Sequence, residues 1–121
     1  MDDAHTRPCA PSSSRQSERR RDHRSKIDLL LNRYLDGRPY MCRATDISRT
    51  GMRVVPLIEP QDAGRFRYMG LQFQLPGSDR IITASGEAVS CDVGSRQVGI
   101  RFTAIAPDHV ALIDGLTLPA A

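Results

Sequence analysis

Residues 71–75, Leu-Gln-Phe-Gln-Leu, alternate strictly between apolar and polar side chains. Successive side chains of a β-strand point to opposite faces, so this stretch predicts a strand whose two leucines and phenylalanine face a core. The same period of two recurs at residues 26–31 and 97–102. We therefore predict a chain that is built mainly from β-strands.

Turn-forming residues separate these stretches at positions 36–37, 76–79 and 92–95. Such spacing is typical of antiparallel strands that are joined by short loops. Six strands in so short a chain favour a small antiparallel barrel, because closure removes the exposed edges of a flat sheet. The strands are predicted near residues 26–34, 40–46, 51–56, 67–75, 80–91 and 96–103.

One short C-terminal helix is predicted at residues 107–116. Pro107 suits the first helical position, and Val110, Ile113 and Leu116 follow at spacings of three, which places them on one face. We expect this helix to cover one end of the barrel.

The 121 residues leave room for a single domain. Residues 1–24 contain no Val, Ile or Leu, so they cannot bury enough apolar surface to offset the entropy of ordering. We expect a flexible N-terminal tail at residues 1–18 and the barrel domain at residues 19–121. Residues 19–25 would form an arm ahead of the first strand.

The cellular location is predicted from what the sequence lacks. No run of about 18 apolar residues occurs, and residues 1–10 begin acidic and polar with no apolar core, so we expect no membrane insertion, no signal peptide and a cytoplasmic protein. The three cysteines are widely spaced and form no CxxC pair. This argues against a disulfide scaffold and a four-ligand zinc site, so we expect reduced thiols.

Catalytic and cofactor motifs are also missing. The three histidines show no metal-ligand spacing, Ser48 is not part of GxSxG, and no glycine-rich phosphate loop occurs. We therefore expect a binding protein rather than an enzyme, with no cofactor and no metal.

The net charge of +3 is concentrated in residues 15–24, RQSERRRDHR, which carry five Arg against one Glu and one Asp. A solvated basic tail would explain an arbitrary arginine cluster. Arginines immediately before a strand, however, are held close to the barrel, so they can contact a ligand that binds on its surface. Guanidinium groups form paired hydrogen bonds with phosphate oxygens and with O6 and N7 of guanine.

A second informative stretch is residues 46–51, DISRTG, between the second and third predicted strands. As a plain turn, Asp46 and Ser48 would satisfy local backbone amides and Gly51 would supply a positive φ. As a binding loop, Asp46 would accept hydrogen bonds from a guanine edge while Ser48 meets a phosphate or the base. Both interpretations can hold together.

Together these two stretches resemble the PilZ domain, the bacterial receptor for cyclic di-GMP. That family is marked by RxxxR ahead of the first strand and by [D/N]xSxxG at the second connection. Arg20 and Arg24 fit the first motif, and Asp46, Ser48 and Gly51 fit the second. The likeness spans about 98 residues, from position 19 to position 116.

The resemblance implies a PilZ-type barrel whose arm folds over bound cyclic di-GMP, with the arginines on one side of the ligand and the second motif on the other. Arg19 would accompany binding of an intercalated ligand dimer. Arg15 and Arg19 also match RxxxR, so the working frame stays open, although Arg20 and Arg24 lie nearer the first strand. The expected ligand-binding residues are Arg19, Arg20, Arg24, Asp46, Ser48 and Gly51.

The expected function is a cyclic di-GMP effector whose arm becomes ordered on the ligand and signals to an unidentified protein partner. One alternative is a PilZ-like adaptor that works through protein contacts without ligand, although the intact arginines argue against it. Another is a small nucleic-acid-binding barrel. This last is disfavoured because the chain has no Trp, three Phe and three Tyr, and single-strand binders rely on aromatic stacking.

Overall fold

Six strands and one α-helix make up the part of the chain that the computed structural model describes, residues 24–117. The strands are Ser25–Leu35 (β1), Arg38–Ile47 (β2), Gly51–Pro56 (β3), Tyr68–Gln74 (β4), Ile81–Asp92 (β5) and Gln97–Ile105 (β6). The helix is Pro107–Thr117 (α1), and Ala63–Arg65 forms a single 3₁₀ turn between β3 and β4. The predicted elements are confirmed, with ends that differ by one or two residues.

The strands form one closed antiparallel barrel, in the order β1-β2-β3-β6-β5-β4. Closure occurs where β1 pairs with β4, at Asn32 opposite Gln72 and Tyr34 opposite Gly70. The predicted six-stranded barrel is therefore confirmed. Because neighbouring strands are antiparallel, the connections divide into two groups at opposite ends of the barrel.

The alternation in the sequence corresponds to the inside and outside of this barrel. In β4, Leu71 and Phe73 are buried, while the glutamines between them and beyond them lie outside the core. In β1, the buried positions are Leu31, Arg33 and Leu35, so one charged side chain shares the inward face with two leucines. Among residues 24–117, sixteen apolar side chains form the buried core.

Helix α1 covers one end of the barrel, which we call the α1 end. Ile113 is fully buried in the core. The helix is tied to the surrounding connections by the Ser25 hydroxyl, which donates to the carbonyl of Leu116 at 3.4 Å, and by an ion pair between Arg80 and Asp108 at 3.3 Å. At the opposite end, Asp36 and Gly37 join β1 to β2 with φ values of 53° and 79°, as a tight hairpin turn requires.

The cysteines differ from expectation at one position. Cys91, near the end of β5, is disulfide-bonded, so the prediction of a reduced thiol there is wrong. Cys42 is a free thiol inside the barrel, and burial raises its pKa to about 11 against the opposing charge of Arg33.

Glu87 on β5 forms two short ion pairs on the barrel wall. Its Oε1 accepts from Arg101 Nη2 at 2.6 Å and its Oε2 from Arg67 Nε at 2.7 Å. The hydrogen bond from Arg101, aided by that from Arg67, lowers the pKa of Glu87 below its ordinary value, although desolvation opposes the shift. The charged form of Glu87 therefore stabilises the fold above the ordinary pKa of 4.5.

We expect Glu87→Gln to lower the midpoint of thermal unfolding at neutral pH, because the amide loses the charge that both arginines face. The difference from the unsubstituted protein should shrink as the pH falls below 4.5 and through the lowered folded-state pKa, since Glu87 is then protonated in both folded and unfolded chains. Scanning calorimetry at several pH values measures this. Asp79→Asn, at an exposed carboxylate in the β4–β5 turn, is the control. A difference that persists in acid would contradict the assignment.

Candidate ligand-binding site

The residue just before β1 contacts the end of β2, beside the β2–β3 loop, at the α1 end. Arg24 Nη1 donates to Asp46 Oδ1 at 3.2 Å. The two side chains keep 24% and 16% of their surface exposed, so the pair is accessible from outside. The register of β1 against β2, with Ser25 opposite Ile47 and Lys26 opposite Asp46, produces this contact. The structure therefore brings together one predicted residue from each of the two motifs.

Asp46 is also oriented by a bulge in β2. Ala44 pairs with Val54 and Asp46 pairs with Arg53, which leaves Thr45 as an extra residue. Bulges next to binding sites commonly re-aim a side chain, and here Asp46 Oδ2 lies 3.8 Å from Arg53 Nη1. The carboxylate is consequently held between a cation that precedes β1 and a cation on β3.

The β2–β3 loop is braced by its own hydrogen bonds. The Ser48 N–H donates to the carbonyl of Gly51 at 2.8 Å, and the Thr50 N–H donates to Ser48 Oγ at 3.2 Å. The carbonyl of Thr50 accepts from the Phe102 N–H at 2.8 Å, which fixes the loop to β6. Ser48 is fully buried and shapes the loop from below. That it also meets a phosphate or base stays a prediction.

Gly51 was expected to supply a positive φ, but the structure gives a different reason for a glycine at this position. Its φ is not positive, unlike those of Gly37 and Gly77, so that expectation is wrong. A Cβ at Gly51 would instead overlap the backbone carbonyl oxygen of Ile100 on β6. The missing side chain lets β3 approach β6 directly beneath the loop.

Two further contacts connect this loop and the start of β1 to α1. Arg49 Nη2 lies 3.5 Å from Asp114 Oδ2, and the Ser25 hydroxyl bonds to the carbonyl of Leu116. The second carboxylate oxygen of Asp114 is buried without a hydrogen-bond partner among the described residues. The site therefore extends onto the helix.

The sequence motifs did not point to Arg49, Arg53 or Asp114 as parts of the site. Arg53 lies opposite Asp46 because four residues, 48–51, separate the paired positions Ile47 and Met52. The predicted strand ends at Asp46 and Gly51 did not give this register. The pairing of Arg49 with Asp114 depends on how α1 docks, and no periodicity in the sequence encodes that orientation.

Arg15, Arg19 and Arg20 lie outside the described residues, and so does the predicted tail at residues 1–18. The choice between the two RxxxR frames stays a prediction. Within residues 24–117, no group of three or more His, Cys, Asp or Glu is arranged to hold a metal ion. Over the same range, no helix is both long enough and apolar enough to cross a membrane.

Comparison with known proteins places these features in a family. The family model of the PilZ domain matches residues 18–118. A structure of the Bacillus subtilis inhibitor of motility, MotI/DgrA, aligns with a TM-score of 0.60 at 18% sequence identity. The alignment covers 78% of this chain and 47% of MotI/DgrA, so the chain spans about half of that protein. No curated protein matches the chain significantly.

We expect Gly51→Ala to destabilise the protein by about 1–3 kcal/mol, because the added methyl group forces β3 away from β6 as overpacked cores do. Denaturant unfolding measures the loss. Gly64→Ala is the matched control, since a Cβ at Gly64 meets nothing within 4 Å. Equal stabilities of the two variants would show that β3 and β6 are not in close contact at Gly51.

Proposed function

Because the chain belongs to the PilZ domain family, whose members are binding domains rather than enzymes, we propose that it is a receptor for cyclic di-GMP. Binding itself would be the activity. The ligand would lie at the α1 end, between the arm at residues 19–25 and the β2–β3 loop. The ordered arm and α1 would then carry the signal to a protein partner.

The contact between Arg24 and Asp46 is the observation that carries this proposal. The two residues are 22 positions apart in sequence, and they belong to the two motifs that the family resemblance singles out. A solvated basic tail needs no carboxylate partner on the barrel. Here the last arginine of the run, Arg24, is anchored to Asp46 near the end of β2.

The charges of the α1 end suit an anionic ligand. Around the Arg24–Asp46 contact, cations outnumber carboxylates, and the guanidinium groups match phosphate oxygens in geometry as well as in charge. Arg49 and Arg53 each make one long contact with a carboxylate, at 3.5 and 3.8 Å, which leaves most of their donors available. The groups are the cations Arg24, Lys26, Arg49 and Arg53 and the carboxylates Asp46 and Asp114.

Asp46 complements a different part of the same ligand. A carboxylate has about four lone-pair positions, so Asp46 can keep its bond to Arg24 while it accepts N1–H and N2–H from a guanine. Cyclic di-GMP carries two phosphates and two guanines, and it therefore offers acceptors to the arginines and donors to Asp46. No part of this arrangement needs a metal or a second cofactor.

Helix α1 is the natural route from ligand to partner. Arg49 in the binding loop pairs with Asp114, and Ser25 at the start of β1 bonds to Leu116. A ligand that draws Arg49 towards a phosphate would weaken its ion pair with the helix. Ordering of the arm would cover surface beside the same helix, so a partner that contacts α1 would sense both changes.

Calorimetric titration with cyclic di-GMP tests the proposal. We expect saturable binding, and we expect Arg20→Ala and Arg24→Ala each to weaken it by about 1–3 kcal/mol, or about five- to 150-fold, because charge-assisted contacts are lost. Arg38→Ala removes an exposed arginine at the opposite end of the barrel and should leave the affinity unchanged.

Absence of binding by folded protein would overturn the receptor function and would leave an adaptor that works through protein contacts alone. Equal losses in all three variants would show that only net charge matters. Binding of single-stranded nucleic acid with a steep dependence on salt would instead favour a nucleic-acid-binding barrel.

A further inference from the structure

A cavity lies at the end of the barrel opposite α1. Its volume is about 390 Å³, within the range of small-molecule sites. The β3–β4 connection and the β5–β6 turn surround its mouth, and the barrel interior forms its floor. The apolar lining includes Phe66, Met69, Ala88 and Val98, and the charged lining residues are Arg33, Arg96, Glu59 and Asp92.

Arg33 is the unusual member of this lining. It points inward from β1 and is only 4% exposed. A buried guanidinium is costly unless its donors are paired. One donor, Nη2, bonds to Glu59 Oε1 at 3.2 Å, but Nε–H has no hydrogen-bond partner among the described residues. The cavity therefore contains a buried cation with an unmet donor.

The other charged groups are engaged elsewhere. Arg96 Nη2 donates to the carbonyl of Pro56 at 3.4 Å. Asp92 Oδ1 accepts from the backbone N–H of Gly94 at 3.0 Å, which uses that carboxylate within its own turn. Arg33 is thus the group best placed to receive a ligand.

Glu59 shows which chemistry Arg33 accepts. This glutamate lies on the β3–β4 connection and is 38% exposed, so it reaches the guanidinium from the mouth of the cavity. Its carboxylate can turn into solvent at little cost because it is already partly hydrated. A carboxylate that entered with an incoming molecule could take its place and use the Nε–H donor as well, in the paired geometry that guanidinium favours.

We propose that this cavity binds a small monocarboxylic acid with an unbranched apolar chain, and that Glu59 occupies Arg33 when the acid is absent. The carboxylate would pair with Arg33, and the chain would pack against Phe66, Met69 and Val98. The two cations and two carboxylates of the lining balance, so a monoanion fits better than a dianion such as a phosphate ester. The apolar walls match an alkyl chain rather than a sugar. This site is separate from the cyclic di-GMP site.

The test uses the full chain with its Cys91 disulfide kept intact and octanoate as the probe. Amide chemical shifts of Phe66, Ala88 and Val98 should change saturably with octanoate. Octanol and octylamine, which have the same chain but no carboxylate, should bind at least about tenfold more weakly, as loss of a charge-assisted hydrogen bond predicts. Equal binding of octanol would overturn the proposal, because it would show only partition into an apolar cavity. No binding of octanoate would also overturn it.

Two variants then test the roles of the charged groups. Arg33→Met should abolish octanoate binding, and Glu59→Gln should strengthen it because the competing carboxylate is gone. Arg65→Met, at an exposed arginine of the same connection, is the control and should leave binding unchanged. If Arg33→Met does not fold, the Glu59→Gln variant and the comparison of octanoate with octanol still test the proposal. Weaker octanoate binding by Glu59→Gln would overturn the proposed exchange between Glu59 and the acid. The same variant should bind cyclic di-GMP with unchanged affinity, which distinguishes this cavity from the cyclic di-GMP site.

Discussion

Closure of the sheet between β1 and β4 is the constraint on which the other features depend. Three residue pairs make this seam, and the Tyr34 hydroxyl reinforces it by donating to Gln72 Oε1 at 3.2 Å. A sheet that closes has an inside, so alternate side chains become core and surface without a second layer. It also has two ends, and each gathers connections that are far apart in sequence. One end brings Arg24 to Asp46, and the other surrounds Arg33 with two loops.

The α1 end combines local rigidity with an incomplete set of partners. The bulge at Thr45, the hydrogen bonds of Ser48 and the close packing of Gly51 on β6 hold the loop in one shape. Beside that loop, Arg49 and Arg53 each make one long contact with a carboxylate among the described residues, at 3.5 and 3.8 Å. Under the proposed function, this rigid loop would lose little entropy when the ligand binds, so most of the entropic cost of ordering would fall on the arm.

The fold could be predicted closely because its determinants are local. Alternating apolar and polar residues indicate the strands, and turn-forming residues indicate the loops between them. A six-stranded sheet in a chain of this length has few ways other than closure to avoid exposed edge strands. The pairing of Arg24 with Asp46 could be anticipated only through the family resemblance. The role of Gly51 could not be predicted from the sequence, because it depends on the distance between β3 and β6. The ion pair of Arg49 with Asp114 likewise could not be predicted, because it depends on how α1 packs against the β2–β3 loop. The inward orientation of Arg33, by contrast, follows from the sequence, because Arg33 lies midway between Leu31 and Leu35 in the alternating pattern of β1.

Strand β1 extends from one end of the barrel to the other, with Arg24 just before its start and Arg33 nine residues later, about 30 Å away if fully extended. The pairing of β1 with β2 shifts between Lys26 and Leu29, which leaves an irregular stretch between the two arginines. An insertion or deletion of one residue beyond Leu29 would turn Arg33 out of the barrel. The same change within the irregular stretch would enlarge or remove a bulge and would displace only Arg24. Related chains can therefore gain or lose length in that short stretch and alter the α1 end while the opposite cavity stays intact.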